Sequence, residues 1–176
     1  MSSFFRNMIR LLLFILVQVF VLNQVPPLHQ YITPYIYFLF ILWLPFNIGR
    51  SSLLLVSFIT GLSLDFFTKT PGLHAAACVL IGYLRPYLIN ILAPQQGVEF
   101  NYREPSAISL GFTQYIIYAS VLTIFHHAFL FTIQAFQFGN ILYLLLKTAG
   151  STIISLLLIT IVEIIFNRKQ KFLTNT

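Results

Sequence analysis

Charge is what this sequence has least of: Asp, Glu, Lys and Arg make up 8% of its 176 residues, whereas a soluble domain carries about 25%. So little polar surface excludes a water-coated globule, and 58% hydrophobic side chains point to one compact membrane domain. Cysteine is nearly absent too. Cys78 stands alone inside an apolar run, which excludes an intrachain disulfide and leaves zinc or cluster chemistry without thiolate ligands. There is no glycine-rich phosphate loop and no nucleophile elbow, so no catalytic residue, cofactor or metal site is expected and the chain does not read as an enzyme. The excess of +6 is scattered, not drawn into a basic stripe interleaved with aromatics, so nucleic acid is not an expected partner.

What is abundant is apolar length. Six apolar runs divided by short polar breaks predict an all-α integral membrane protein, a six-transmembrane-helix bundle forming a single domain over 1–176, with spans near 8–22, 31–48, 53–67, 73–92, 108–133 and 141–166. The last three reach about 20 residues or more, enough for a helix rising roughly 1.5 Å per residue to cross a hydrocarbon core of about 30 Å. Membrane lipid is the expected solvent. Arg6 and Arg10 precede the first run, but Asn23-Gln24-Val25-Pro26-Pro27 lacks the small residues of a cleavage site, so a retained first helix is expected. The second span, with Pro34 in its first turn and Pro45 near its end, is expected to be short, kinked or tilted. Pro86 is expected to bend the fourth span after Arg85, and residues 93–106 read as the main polar loop.

Lys and Arg in short loops are retained in the cytoplasm, which sets orientation. With the N-terminus inside, the inner set is Arg6, Arg10, Arg50, Arg85, Arg103, Arg168, Lys169 and Lys171; the outer set is Lys69 and Lys147. Both termini are therefore expected in the cytoplasm. An even number of spans satisfies this, whereas dropping the second would put the basic tail outside.

Asp65, the sole aspartate, lies within a predicted membrane helix, where an unpaired charge costs at least about 2.5 kcal/mol. Two readings stay open: a proton or cation site completed by His74, or a structural carboxylate satisfied by Lys69 four residues on or by backbone amides of the Thr68 to Gly72 turn. Glu163 is expected to pair with the basic tail and Lys147 to snorkel along its aliphatic stem. His126 and His127 point about 100° apart on a helix, against the i,i+3 or i,i+4 spacing of helical metal pairs, so interfacial anchoring is expected instead. Ala75, Cys78 and Gly82 form a narrow small-residue face that another helix can approach closely, whether a span of this chain or a different protein.

Gly61-Leu62-Ser63-Leu64-Asp65-Phe66-Phe67, then a Thr-Pro turn, Gly72-Leu73-His74-Ala75 and Tyr83-Leu84, resembles the rod shape-determining membrane protein family MreD. The motif covers 61–84, and Pro86 with the loop at 93–106 departs from a detailed loop correspondence. The resemblance implies a non-enzymatic, multi-pass component of the bacterial inner membrane. It would serve the cell elongation machinery beside MreC and the peptidoglycan-synthesising pair of RodA and its transpeptidase. It implies Gly61, Asp65, Gly72 and His74 as motif residues with a structural or partner-orienting role, and no catalytic residue. It further implies a fold similar to the substrate-capture subunits of energy-coupling-factor vitamin transporters, which leaves a second function open, capture of a small molecule for import.

Overall fold

Five helices in the computed structural model are long and apolar enough to cross a membrane, and the chain returns between the first two by another route. The structure describes residues 3–24, 32–92, 103–135 and 141–166. Within these, α1 is Ser3–Phe20, extended by a tight turn at Leu22–Gln24; α2 is the single turn Leu39–Leu42. Then come α3 (Arg50–Thr68), α4 (Leu73–Leu92), α5 (Phe112–Ala135) and α6 (Ile141–Phe166). Large apolar side chains such as Phe66, Ile91 and Ile141 face outward, as lipid-contacting positions require.

Phe20, ending α1, meets Phe67, ending α3, at 6.5 Å between ring centroids, so these helices run in the same direction. The intervening chain must therefore travel back along the bundle. It does so through the interior, and the expected second helix at 31–48 is corrected: residues 32–38 are non-helical and lead into the one turn of α2. Thr33 lies against Ser151 in the first half of α6, and Trp43 lies 5.8 Å from Phe166 at its end. Ser3 and Phe166 consequently share one end, which also holds Arg6, Arg10, Arg50 and Arg103 and is called the basic end below. The α3–α4 turn marks the far end.

The order around the bundle follows the chain, with α1 on α3, α3 on α4, α4 on α5 and α5 on α6. The returning segment fills the middle: Tyr37, Phe38, Leu39, Ile41 and Leu42 are all fully buried. Pro34 and Pro45 explain why it is not a helix, since each lacks an amide hydrogen and pushes its preceding residue towards extended backbone. Such backbone at membrane depth survives only inside protein, with its polar groups satisfied.

The α3–α4 hairpin is the tightest part of the bundle. A Cβ on Gly61 would lie 2.4 Å from Ala75 Cα and 2.5 Å from His74 O, so only glycine lets the two backbones meet. Gly82 does the same for the Ser57 side chain. Lys69 closes α3 in the left-handed region (φ 57°), and Gly72 at φ 86° turns the chain into α4 with open space around it. Replacing Gly72 with Ala is expected to cost about 1 kcal/mol through backbone strain alone, read as a small loss of melting temperature in detergent. As the span expected at 73–92 requires, α4 runs through Pro86 and on to Leu92.

Candidate functional site

The buried polar groups of this bundle gather around the returning segment in three layers. At the far end the Asp65 carboxylate caps α4 from the last turn of α3. Its Oδ1 accepts the His74 backbone N–H (3.0 Å) and the Thr70 hydroxyl (3.0 Å), and Oδ2 accepts the Ala75 N–H (3.0 Å). The His74 ring lies with Nδ1 2.8 Å from Oδ1, so Nδ1 carries the proton and donates it. A carboxylate on the first amides of a helix is favoured by the unsatisfied donors there. His74 does join Asp65, and the backbone amides that satisfy the carboxylate belong to the start of α4, not to the Thr68 to Gly72 turn as expected. Lys69 is not its partner; His74 is, through a hydrogen bond.

All four motif residues therefore serve one hairpin, Gly61 by close approach, Gly72 by its turn, Asp65 and His74 by their bond. Asp65→Ala is expected to cost about 1.5–3 kcal/mol, the range for a charge-assisted hydrogen bond, and Asp65→Asn less because one acceptor oxygen remains. Thermal unfolding of the purified variants checks the order.

In the middle layer the Tyr37 hydroxyl lies 2.8 Å from His126 Nε2 and accepts a weak bond from the Cys78 thiol at 3.6 Å. Phe38 stacks on His126 with centroids 4.3 Å apart. His127 Nδ1 donates to the Thr123 carbonyl (2.9 Å), and Nε2 faces the Ser155 hydroxyl at 3.3 Å. Both histidines are fully buried, which corrects the expectation that they anchor an interface. Ser155 and Ser151 also accept the backbone N–H groups of Tyr35 (3.0 Å) and Thr33 (2.9 Å), while Gln18 takes the Ile36 N–H (2.8 Å) and donates to the Pro34 carbonyl (3.1 Å). Polar side chains from α1 and α6 thus replace the hydrogen bonds that a helix would have made internally.

Towards the basic end Arg85, 1% exposed, donates to the carbonyls of Leu44 and Pro45 and to the Tyr118 hydroxyl (3.1 Å), which in turn donates to the Leu42 carbonyl (3.0 Å). Leu42 ends α2 and Leu44 and Pro45 follow it, so none of these carbonyls has a partner within the helix. The Trp43 indole donates to the Tyr115 hydroxyl at 3.2 Å, and Glu104 receives Arg10 at 2.8 Å and Arg6 at 3.2 Å. In the sequence Arg85 counts only as a topology signal; a lone arginine deep in an apolar run is the one clue to this role.

The remaining candidates are placed as follows. The Ala75, Cys78 and Gly82 face is closed within the chain, Ala75 on Gly61, Gly82 on Ser57 and Cys78 on Tyr37. Glu163 accepts the Ala107 N–H at 2.9 Å beside a cleft of about 250 Å³ between the starts of α5 and the end of α6; the basic tail expected to pair with it lies outside the described residues, as does most of the loop at 93–106. Lys147 sits over the Phe131 ring at 4.7 Å and reaches Gln134 at 3.4 Å.

Fold and site together define a multi-pass helical membrane protein with five candidate spans. Compared with protein-family models, curated proteins and solved structures, the chain matches none.

Proposed function

We propose that this protein is a non-enzymatic scaffold of the bacterial inner membrane that serves cell elongation in the manner of MreD, with both termini cytoplasmic. It packs laterally, through membrane lipid, against MreC and the RodA–transpeptidase cell-wall synthase, and so supports cell shape and peptidoglycan synthesis. One observation carries this reading: the interior is filled by the protein's own chain from Tyr35 to Leu44, so the surface offered to others is the outward apolar faces of the long helices. A small-residue groove on α4 is not the docking face, because α3 occupies it. Ile153, Leu157, Ile161 and Ile164 instead form an exposed stripe along α6 at helical spacing. A photo-crosslinking residue at Leu157, activated in living cells, is expected to capture a single-span partner; adducts with lipid alone would count against the proposal.

The rival reading, a capture subunit for a vitamin or other small molecule, draws on the unwound crossing, since discontinuous segments hold substrates in many transporters. Here Gln18, Ser151, Ser155, Tyr118 and Arg85 take the backbone groups that a substrate would use. Saturable vitamin binding by the purified protein would favour the rival.

A further inference from the structure

Among the described residues, the polar atoms His74 Nε2, His126 Nδ1, Thr123 Oγ1 and Ser57 Oγ are buried in the bundle without a hydrogen-bond partner. All four side chains are buried to within 2% of full. Taking such atoms from water without a replacement bond is unfavourable, and proteins meet that cost with internal water wherever the surroundings supply several polar neighbours. Here they do. Tyr37 stands between the two imidazoles, 5.8 Å from the His74 ring and 5.5 Å from the His126 ring by centroids, with its hydroxyl bound to His126 and Cys78. Tyr35 also touches both rings, at 5.5 and 6.3 Å. Thr123 lies one turn from His126 on the same face of α5. On α4, Gly82 lies one turn beyond Cys78 and against Ser57.

We propose that the interior around Tyr37 is a hydrated chamber, in which bound water links His74 to His126 and Thr123 and so joins the Asp65–His74 pair of the hairpin to the Tyr37–His126 pair of the returning segment. The occupant is water because the lining offers imidazole, hydroxyl and thiol groups and a carboxylate already taken by four donors. Leu53, Ile81 and Leu122, on the helices around it, are buried and wholly apolar. Water thereby couples the hairpin to the segment without opening a path through the bundle.

Radiolytic hydroxyl-radical labelling of the intact protein in nanodiscs tests this, because radicals formed from bound water modify the side chains beside it whatever their exposure to bulk solvent. After correction for intrinsic reactivity, Tyr37 and Cys78 are expected to be modified severalfold more than Trp43, which is equally buried at 2% exposure but lies near the basic end. Thr123→Val is expected to lower the Tyr37 signal while the protein stays monodisperse. Labelling of Tyr37 and Cys78 at or below that of Trp43 would mean a dry interior and would overturn the proposal, as would full Tyr37 labelling in Thr123→Val.

Discussion

Gly61→Ala is expected to remove most of the folded protein, although it adds a single methyl group. The new carbon would stand 2.4–2.5 Å from Ala75 Cα, Ala75 N and His74 O, all of them backbone atoms that no rotamer change can move. The helices must part, and the overpacking costs about 1–3 kcal/mol. Parting them also stretches the 3.0 Å bonds by which the Asp65 carboxylate holds the His74 and Ala75 amides. Losing those charge-assisted bonds adds about 1.5–3 kcal/mol, and the sum is a large share of a net stability of about 5–15 kcal/mol. Fluorescence-detected size exclusion after heating should show early loss of the monodisperse peak. Gly49→Ala is the control, since the nearest atom to its new Cβ is Ser52 Oγ at 4.0 Å, and it should behave as the parent.

Arg85→Ala is expected to be the second large loss. The guanidinium gathers the Leu44 and Pro45 carbonyls and the Tyr118 hydroxyl in the buried interior, and removing it strands the two carbonyls while opening a cavity. Each stranded carbonyl costs about 1–3 kcal/mol. Arg85→Lys should fall between parent and Ala, because an ammonium can still reach a carbonyl but lacks the planar fork that serves the segment and Tyr118 together. Thermal unfolding of the three proteins gives the order, and a lysine variant as unstable as alanine would show that contact with a carbonyl is not what matters.

How much of this was legible beforehand depended on which physical property each residue reports. Apolar length reports burial away from water, and the long helices at Leu73–Leu92 and Ile141–Phe166 stand where the apolar runs placed them. The same property misled at 31–48, where Tyr35 to Leu44 are buried but the environment is protein and not lipid. The prolines at 34 and 45 argued against a regular helix there. What a single span could not show was that its missing hydrogen bonds are supplied by Gln18, Ser151, Ser155 and Arg85, which are scattered through other elements. Counting basic residues gave an even number of crossings, and the shared end of Ser3 and Phe166 agrees with that evenness even though one crossing is not helical. At the site, Asp65 with His74 was readable because both stand at a turn; His126 and His127 were not, because adjacency on one helix says nothing about the aromatic segment that packs between them and α4.

The account rests on an unwound segment threading the middle of the helices, and the protein's single tryptophan reports on it without any substitution. Trp43 is 2% exposed, with Phe14 at 5.3 Å and Phe166 at 5.8 Å on either side. In bilayers of acyl-brominated lipid its fluorescence should remain close to that in ordinary lipid, because bromine cannot approach the indole. Strong quenching would put Trp43 against the lipid, as on an ordinary spanning helix over 31–48, and would contradict the account.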